Sequence, residues 1–258
     1  CVARHKNLTS VFDIRPDAAA KVPDGPPCAE TPAALTKTCD TIFIAVINAQ
    51  QVRELLIGKD GILAAAKPSL TLILLSTVSL DEFRELAALT NDKGVKLIDC
   101  GVTGGPAAAS TGDLVCLVGA EENDFDAISP VLAQMSKASF RMGGPGAGMA
   151  AKIARNIIVY TTWMAGQEAA RLAGAAGVDP LILAEVVNSS DENIGGPTTW
   201  LTRISPNEDA QERAIRESVL VLLQKDLSAA LELGKQLHVD LPGAEVALSQ
   251  GAATLAIR

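Results

Sequence analysis

Along residues 1–145, short runs of aliphatic and β-branched residues alternate with longer stretches in which apolar positions recur every three or four residues. Residues 8–13 (LTSVFD), 41–47 (TIFIAVI), 70–75 (LTLILL) and 95–100 (VKLIDC) read as strands, with amphipathic helices at 50–66 and 80–92. The central runs are apolar at consecutive positions, as strands buried on both faces are. Two further strands, at 114–118 and 140–142, flank a helix at 124–135. Strands and helices in this alternation predict an α/β domain with a Rossmann-like, mostly parallel sheet.

Beyond Gly143 the period changes and no convincing strand recurs. Residues 147–176 are helix formers without a proline, enough for a helix of roughly 40 Å at about 1.5 Å per residue. Helical segments at 180–188, 210–238 and 242–257 complete an all-α domain. The expected organisation is a dinucleotide-binding domain over 1–145 and a helical substrate and dimerisation domain over 146–258. Long alanine-rich helices often pack against a second subunit, so a homodimer or homotetramer is expected.

Composition narrows the possibilities. The 258 residues are 48% hydrophobic and 20% charged, the proportions of a packed globular protein. A net charge of −8 argues against nucleic acid as a partner. No apolar run approaches the roughly 18 residues of a membrane helix, and no charged-then-apolar leader opens the chain, so a soluble protein without membrane contact is expected. Five cysteines, an odd number without C-x-x-C, argue against a disulfide framework or zinc site and for the reducing cytoplasm. His5 and His238 stand in unremarkable contexts, so neither a metal centre nor histidine-based catalysis is expected.

Other groups must then carry the chemistry. The loop 143–148 (GGPGAG) superficially resembles a dinucleotide-binding turn, but no second strand follows at the distance that motif requires. It reads better as a flexible interdomain turn that opens a helix. Lys152 and Asn156 share one face of that helix, which continues through Tyr160, Trp163 and Gln167. A lysine near a helix N-terminus is opposed by the macrodipole, which favours its neutral form and suits a general base. Residues 99–106 (DCGVTGGP) follow a strand, where glycines let backbone N–H groups approach an anion; the same residues also make an ordinary turn. Ser76 and Thr77 end another strand. Asp13 closes VFD, the position from which a carboxylate accepts ribose hydroxyls and repels the extra phosphate of NADP. Lys225 and Asp226 read as an exposed charge pair on a helix.

Together these segments resemble the β-hydroxyacid dehydrogenase family, typified by 3-hydroxyisobutyrate dehydrogenase and more distantly by 6-phosphogluconate dehydrogenase. The resemblance covers nearly the whole chain: DCGVTGGPAAASTGDLVCLVGA (99–120) is similar to the family's substrate segment and GPGAGMAAKIARN (144–156) to its catalytic segment. LLSTVS (74–79), QKDLSAAL (224–231) and VFDIRPD (11–17) are similar to its cofactor segments. The resemblance implies an oxidoreductase in which Lys152 is the catalytic acid and base and Asn156 holds the substrate. It gives the substrate carboxylate to Thr103, Gly104 and Gly105, and the cofactor to Asp13, Val46, Ile47, Gln51, Thr77 and Lys225. Asp13-Ile14-Arg15 stands where NADP-preferring members often carry Asn-Arg-Ser or Asn-Arg-Thr, so NAD is the expected cofactor, with NADP possible.

Two departures stand out. Gly101 and Thr103 replace the proline and serine of the common P-V-S-G-G, although a hydroxyl is retained at Thr103. The family's opening strand and G-x-G-x-x-G turn do not occur in the sequence. The ribose-binding acidic residue follows that turn by about 20 positions, so Asp13 puts it upstream of Cys1, and residues 1–258 are expected to belong to a longer chain. The expected reaction interconverts a small β-hydroxy acid and its semialdehyde or keto form. The alternatives are an NADP-dependent reductase of a succinic or glyoxylate type semialdehyde, and a non-enzymatic binding module that retains the fold.

Overall fold

The computed structural model describes residues 10–15, 17, 18, 21, 26–194 and 210–257, with side chains described up to residue 190 in the stretch 26–194. Strands β1 (Thr41–Ile44), β2 (Thr71–Leu74) and β3 (Lys96–Thr103) are parallel, with Ile44, Leu74 and Asp99 in register. Strand β4 (Leu114–Gly119) runs antiparallel to β3, and β5 (Ser136–Gly143) runs parallel to β4, completing a five-stranded sheet in the order β1 to β5.

The helices account for these directions. α1 (Pro32–Thr38) precedes β1, α2 (Ala49–Ile57) and a short 3₁₀ turn (Ile62–Ala64) cross from β1 to β2, and α3 (Leu80–Asn91) crosses from β2 to β3. α5 (Glu122–Leu132) makes the same kind of crossover from β4 to β5. Only residues 104–113 separate β3 from β4, most of them in the short helix α4 (Gly105–Thr111). A parallel crossover needs about a dozen residues or more, so the chain turns back antiparallel. Start signals are local: Asn48 Oδ1 accepts the Gln51 N–H at the head of α2, and Ser79 and Glu82 form a capping box on α3.

The sheet is covered on both faces. Leu72 and Leu74 pack with Val52 and Leu56 of α2, and with Phe83 and Leu86 of α3, on one face. Ile73, Ile98, Cys100, Cys116 and Val118 pack with Ile128 and Leu132 of α5 on the other. Leu72, Ile73 and Leu74 are fully buried, each worth about 1.5–3 kcal/mol by removal of apolar area from water. Consecutive apolar positions in this strand are thus the consequence of two cores.

Several expected elements differ in extent. Leu8 and Thr9 lie outside the described residues; the rest of the expected first strand makes one parallel bridge, Val11 with Cys28, too little to extend as a ladder. The helix expected over 50–66 ends at Ile57 and resumes as the 3₁₀ turn, and the strand expected at 140–142 begins at Ser136. α4 lies where a turn was expected.

By contact the chain divides into two compact units, 1–155 and 156–258, and the division falls inside α6 (Ala147–Ala175). The second unit continues with α7 (Pro180–Ile194), α8 (Ala210–Leu237), α9 (Pro242–Ser249) and α10 (Gly251–Thr254), the last two replacing one helix expected over 242–257. Buried Glu168 of α6 accepts the Gly243 and Ala244 N–H groups at 2.8 and 3.1 Å, which satisfies the head of α9. Among the described residues no helix is long and apolar enough to cross a membrane.

Candidate functional site

The parallel strands β1, β2 and β3 bring their carboxyl ends to one edge of the sheet, where α/β proteins bind ligands. Val46 and Ile47 follow β1, Ser76 and Thr77 follow β2, and Gly101 to Thr103 end β3. The edge is braced from within: the Val46 N–H donates to buried Ser76 Oγ at 2.8 Å, and the Ile47 N–H donates to Gln51 Oε1 at 2.9 Å. Thr77 is exposed and Ile47 is 85% exposed. Four residues expected at the cofactor, Val46, Ile47, Gln51 and Thr77, therefore lie along this edge.

Asp13 accepts three hydrogen bonds from Arg15: the backbone N–H at 2.9 Å, Nε at 3.0 Å and Nη2 at 2.8 Å. These bonds hold its carboxyl down to about 2, so it is charged at any working pH. Lys225 lies on α8 in the second unit, exposed, with its amine 3.1 Å from Asp226, in the charge-pair arrangement its sequence suggests.

Residues 99–106 and the helix start at 144–152 meet through Asp99. Its side chain is fully buried, and its two oxygens accept the Gly146 N–H at 2.7 Å and the Met149 N–H at 2.8 Å. Burial pushes this carboxyl above its ordinary value, and the backbone N–H groups of Gly146, Met149 and Gly148 oppose that rise. Both oxygens are occupied as acceptors, so the site is built for the carboxylate. The loop 143–148 is thus a helix N-terminus that binds an anion, and the anion is the protein's own side chain. Far from being a flexible turn, its Gly146 is buried.

Missing side chains allow the approach. A Cβ on Gly148 would lie 2.4 Å from the Leu117 carbonyl oxygen, and one on Gly101 would lie 2.6 Å from Lys152 Cβ. Asp99, Gly101 and Thr103 alternate onto one face of β3, and α6 runs along that face: Met149 meets Asp99 and Lys152 meets Gly101. Asn156 follows Lys152 by one turn.

Lys152 is half-buried, and its amine makes no hydrogen bond or ion pair among the described residues. Burial lowers its pKa below the usual lysine value, and the nearby charge of Arg155 lowers it further. The positive end of α6, expected to act on Lys152, is also occupied by the Asp99 carboxylate.

Beyond Gly101, Thr103 and Gly104 open an outward-facing pocket of about 550 Å³ whose other walls are α4, Val115, Asp113, Lys137 and Arg155. Gly105 faces open space, with no atom within 4 Å of where its Cβ would be. Of the expected substrate and catalytic residues, Thr103 and Gly104 line this pocket, while Gly105, Lys152 and Asn156 do not; sequence reasoning missed Asp99 as an anchor and Arg155 and Lys137 as pocket walls. An acidic residue placed directly after apolar Leu97 and Ile98 in a strand was the available signal for Asp99. No group of His, Cys, Asp or Glu among the described residues is arranged to hold a metal ion.

Residues 2–144 match the family model described as the NAD binding domain of 6-phosphogluconate dehydrogenase. Residues 146–256 match the model described as NAD-binding of NADP-dependent 3-hydroxyisobutyrate dehydrogenase. An uncharacterised oxidoreductase of Mycobacterium tuberculosis is 35% identical over 251 residues, covering 96% of this chain and 85% of that protein. The 2-hydroxy-3-oxopropionate reductase of Escherichia coli is 32% identical over 246 residues, covering 93% and 81%. The crystal structure of an oxidoreductase from Mycobacterium avium, 32% identical, matches with a TM-score of 0.84 over 99% of this chain and 94% of that one.

Replacing Asp99 with Asn puts an NH₂ group against a backbone N–H and strands a buried donor, an expected loss of about 2–3 kcal/mol in urea unfolding, accompanied by a fall in turnover. Gly148→Ala should lower stability by about 1–3 kcal/mol, since its methyl must push α6 off the sheet. Unchanged unfolding midpoints in both variants would mean that this contact does not hold the helix.

Proposed function

The chain belongs to the β-hydroxyacid dehydrogenase family of NAD(P)-dependent oxidoreductases, and from that membership we propose that it interconverts a small β-hydroxy acid of the 3-hydroxyisobutyrate kind and its semialdehyde or keto form, with Lys152 as general acid and base. The observation that carries the proposal is the half-buried Lys152, whose amine has no partner among the described residues and whose Cβ and Cγ lie against Gly101, two residues before Thr103.

The residues at the sheet edge suit a dinucleotide. Ile47 offers an exposed aliphatic surface beside Thr77 and Gln51, and Asp13 offers a permanently charged acceptor for ribose hydroxyls. Bound there, the nicotinamide supplies the acceptor of hydride in one direction and the donor in the other. In the oxidative direction Lys152 Nζ takes the proton from the substrate hydroxyl as the carbonyl forms; in the reductive direction it returns that proton to the oxygen. Thr103 Oγ1 and the backbone at Gly104 and Gly105 hold the substrate carboxylate, and the Asn156 amide steadies the substrate one turn beyond the base.

NAD is the proposed cofactor, because the Asp13 carboxylate repels a 2′-phosphate while its fork to Arg15 occupies the guanidinium that such a phosphate would need. The second reading, an NADP-dependent semialdehyde reductase of the succinic or glyoxylate type, is favoured by one observation: the Arg15 side chain, although paired with Asp13, is 69% exposed. The relatives are dehydrogenases and oxidoreductases, which leaves the non-catalytic alternative without support. A homodimer or homotetramer belongs to the same proposal, supported by the exposed Ile157, Tyr160 and Trp163 of α6, and light scattering of the intact protein would read it.

Lys152→Met should reduce kcat by about 10²–10⁴-fold in either direction and leave NAD(H) fluorescence titration nearly unchanged; wild-type turnover by this variant would remove the mechanism. Only the neutral amine accepts a proton, so oxidation by the wild-type enzyme should rise with pH to a plateau, with a midpoint below the ordinary lysine value of 10.5. Reduction needs the ammonium and should fall through the same midpoint. Asp13→Asn should raise KM for NAD and lower it for NADP, read by paired cofactor titrations; an unaltered NAD to NADP ratio would take Asp13 out of cofactor choice.

A further inference from the structure

Among the described arginines, Arg155 stands apart. Arg15, Arg53, Arg84 and Arg213 donate to carboxylates, and Arg141, Arg171 and Arg216 donate to backbone carbonyls. Arg155 is half-buried, and among the described residues it makes no such bond. A guanidinium partly removed from water and left without an acceptor suits an anion that arrives with a ligand, since its fork matches a carboxylate at two points.

A second cation faces the same pocket. Between Leu114 paired with Ser136 and Val115 paired with Ala138, β5 advances two residues while β4 advances one, so Lys137 is the extra residue of a β-bulge. A bulge re-aims a side chain that regular pleating would direct elsewhere, and Lys137 lines the pocket with Arg155, Thr103 and Gly104. It too makes no ion pair among the described residues. Asp113 is the acidic member of the pocket wall, so the three charges sum to about +1, which matches a carboxylate better than a dianionic phosphate.

We infer that Arg155 and Lys137 form a second anion subsite beside Thr103 and Gly104, and that the substrate is a β-hydroxy acid with an additional carboxylate at the end away from the reacting hydroxyl. The identity of the reacting end rests on the function proposed above; the subsite rests on the pocket.

Two measurements keep these apart. The first is the ratio of kcat/KM for 2-(hydroxymethyl)glutarate to that for 3-hydroxyisobutyrate, which share the reacting CH₂OH and differ by one carboxymethyl group. The wild-type ratio should favour the dicarboxylate, and in Arg155→Gln it should fall by about 10- to 100-fold, mainly through KM, with Arg155→Lys intermediate and Lys137→Gln milder. The second is calorimetric binding of glutarate against butyrate to the wild type and Arg155→Gln, with circular dichroism confirming that both fold. Glutarate binding that depends on Arg155 supports the subsite even if neither hydroxy acid is oxidised with NAD or NADP, a result that overturns only the proposed reaction. Glutarate binding indifferent to Arg155, or a kinetic ratio unchanged in Arg155→Gln, overturns the subsite even if both acids are substrates.

Discussion

The carboxylate of Asp99 has no route to water. It sits in the middle of a five-stranded sheet, and the first N–H groups of α6 are its hydrogen-bond donors. Each partner solves the other's problem: the strand carries a charge that burial penalises, and the helix carries N–H groups that no preceding turn can satisfy. Neither is stable in that position alone. The strand that leads to the proposed substrate turn and the helix that carries the proposed base are therefore fixed to one another by backbone groups, whose geometry side-chain variation hardly alters.

From that anchor the rest follows in register. β3 advances two residues for each step along its face and α6 advances about one turn, so 99 meets 149, 101 meets 152, and 103 shares a pocket wall with 155. Glycine at 101 and 148 brings the two backbones within reach, and the lysine emerges where the strand turns outward. Its proton affinity is then set by what surrounds it: partial burial, and the positive charge of Arg155 one turn on. One arginine thus bears on both the proposed proton transfer and the proposed recognition of the far end of the substrate.

The apolar runs at 41–47 and 70–75 were legible because burial on two faces leaves no alternative to consecutive hydrophobic residues, and the long helix was legible because nothing interrupts it. The residue pairs that make the site were only half legible. Lys152 and Asn156 stood out by spacing, and 103–105 by their glycines, but the partner of the loop 143–148 lay 47 positions earlier, in a strand whose single acidic residue is chemically ambiguous without the fold. Arg155 read as one more charge on a helix, and its lack of an acceptor emerges only in three dimensions. The bulge at Lys137 has no sequence signature, because it arises from how β5 slides against β4.

The hydrogen bonds from Gly146 and Met149 to Asp99 span 47 and 50 residues of chain. The entropy of closing a loop grows only slowly with its length, yet this one encloses α4, β4, α5 and β5, and the strands among them must be threaded correctly before the helix can seat. Contacts of such separation form after local helices and turns. Lys152 gains its burial only when that closure is made, so a partly folded chain has helices and a lysine but not the desolvated amine. The lowered proton affinity at this position is in effect a report that the whole β3 to α6 segment has reached its native path.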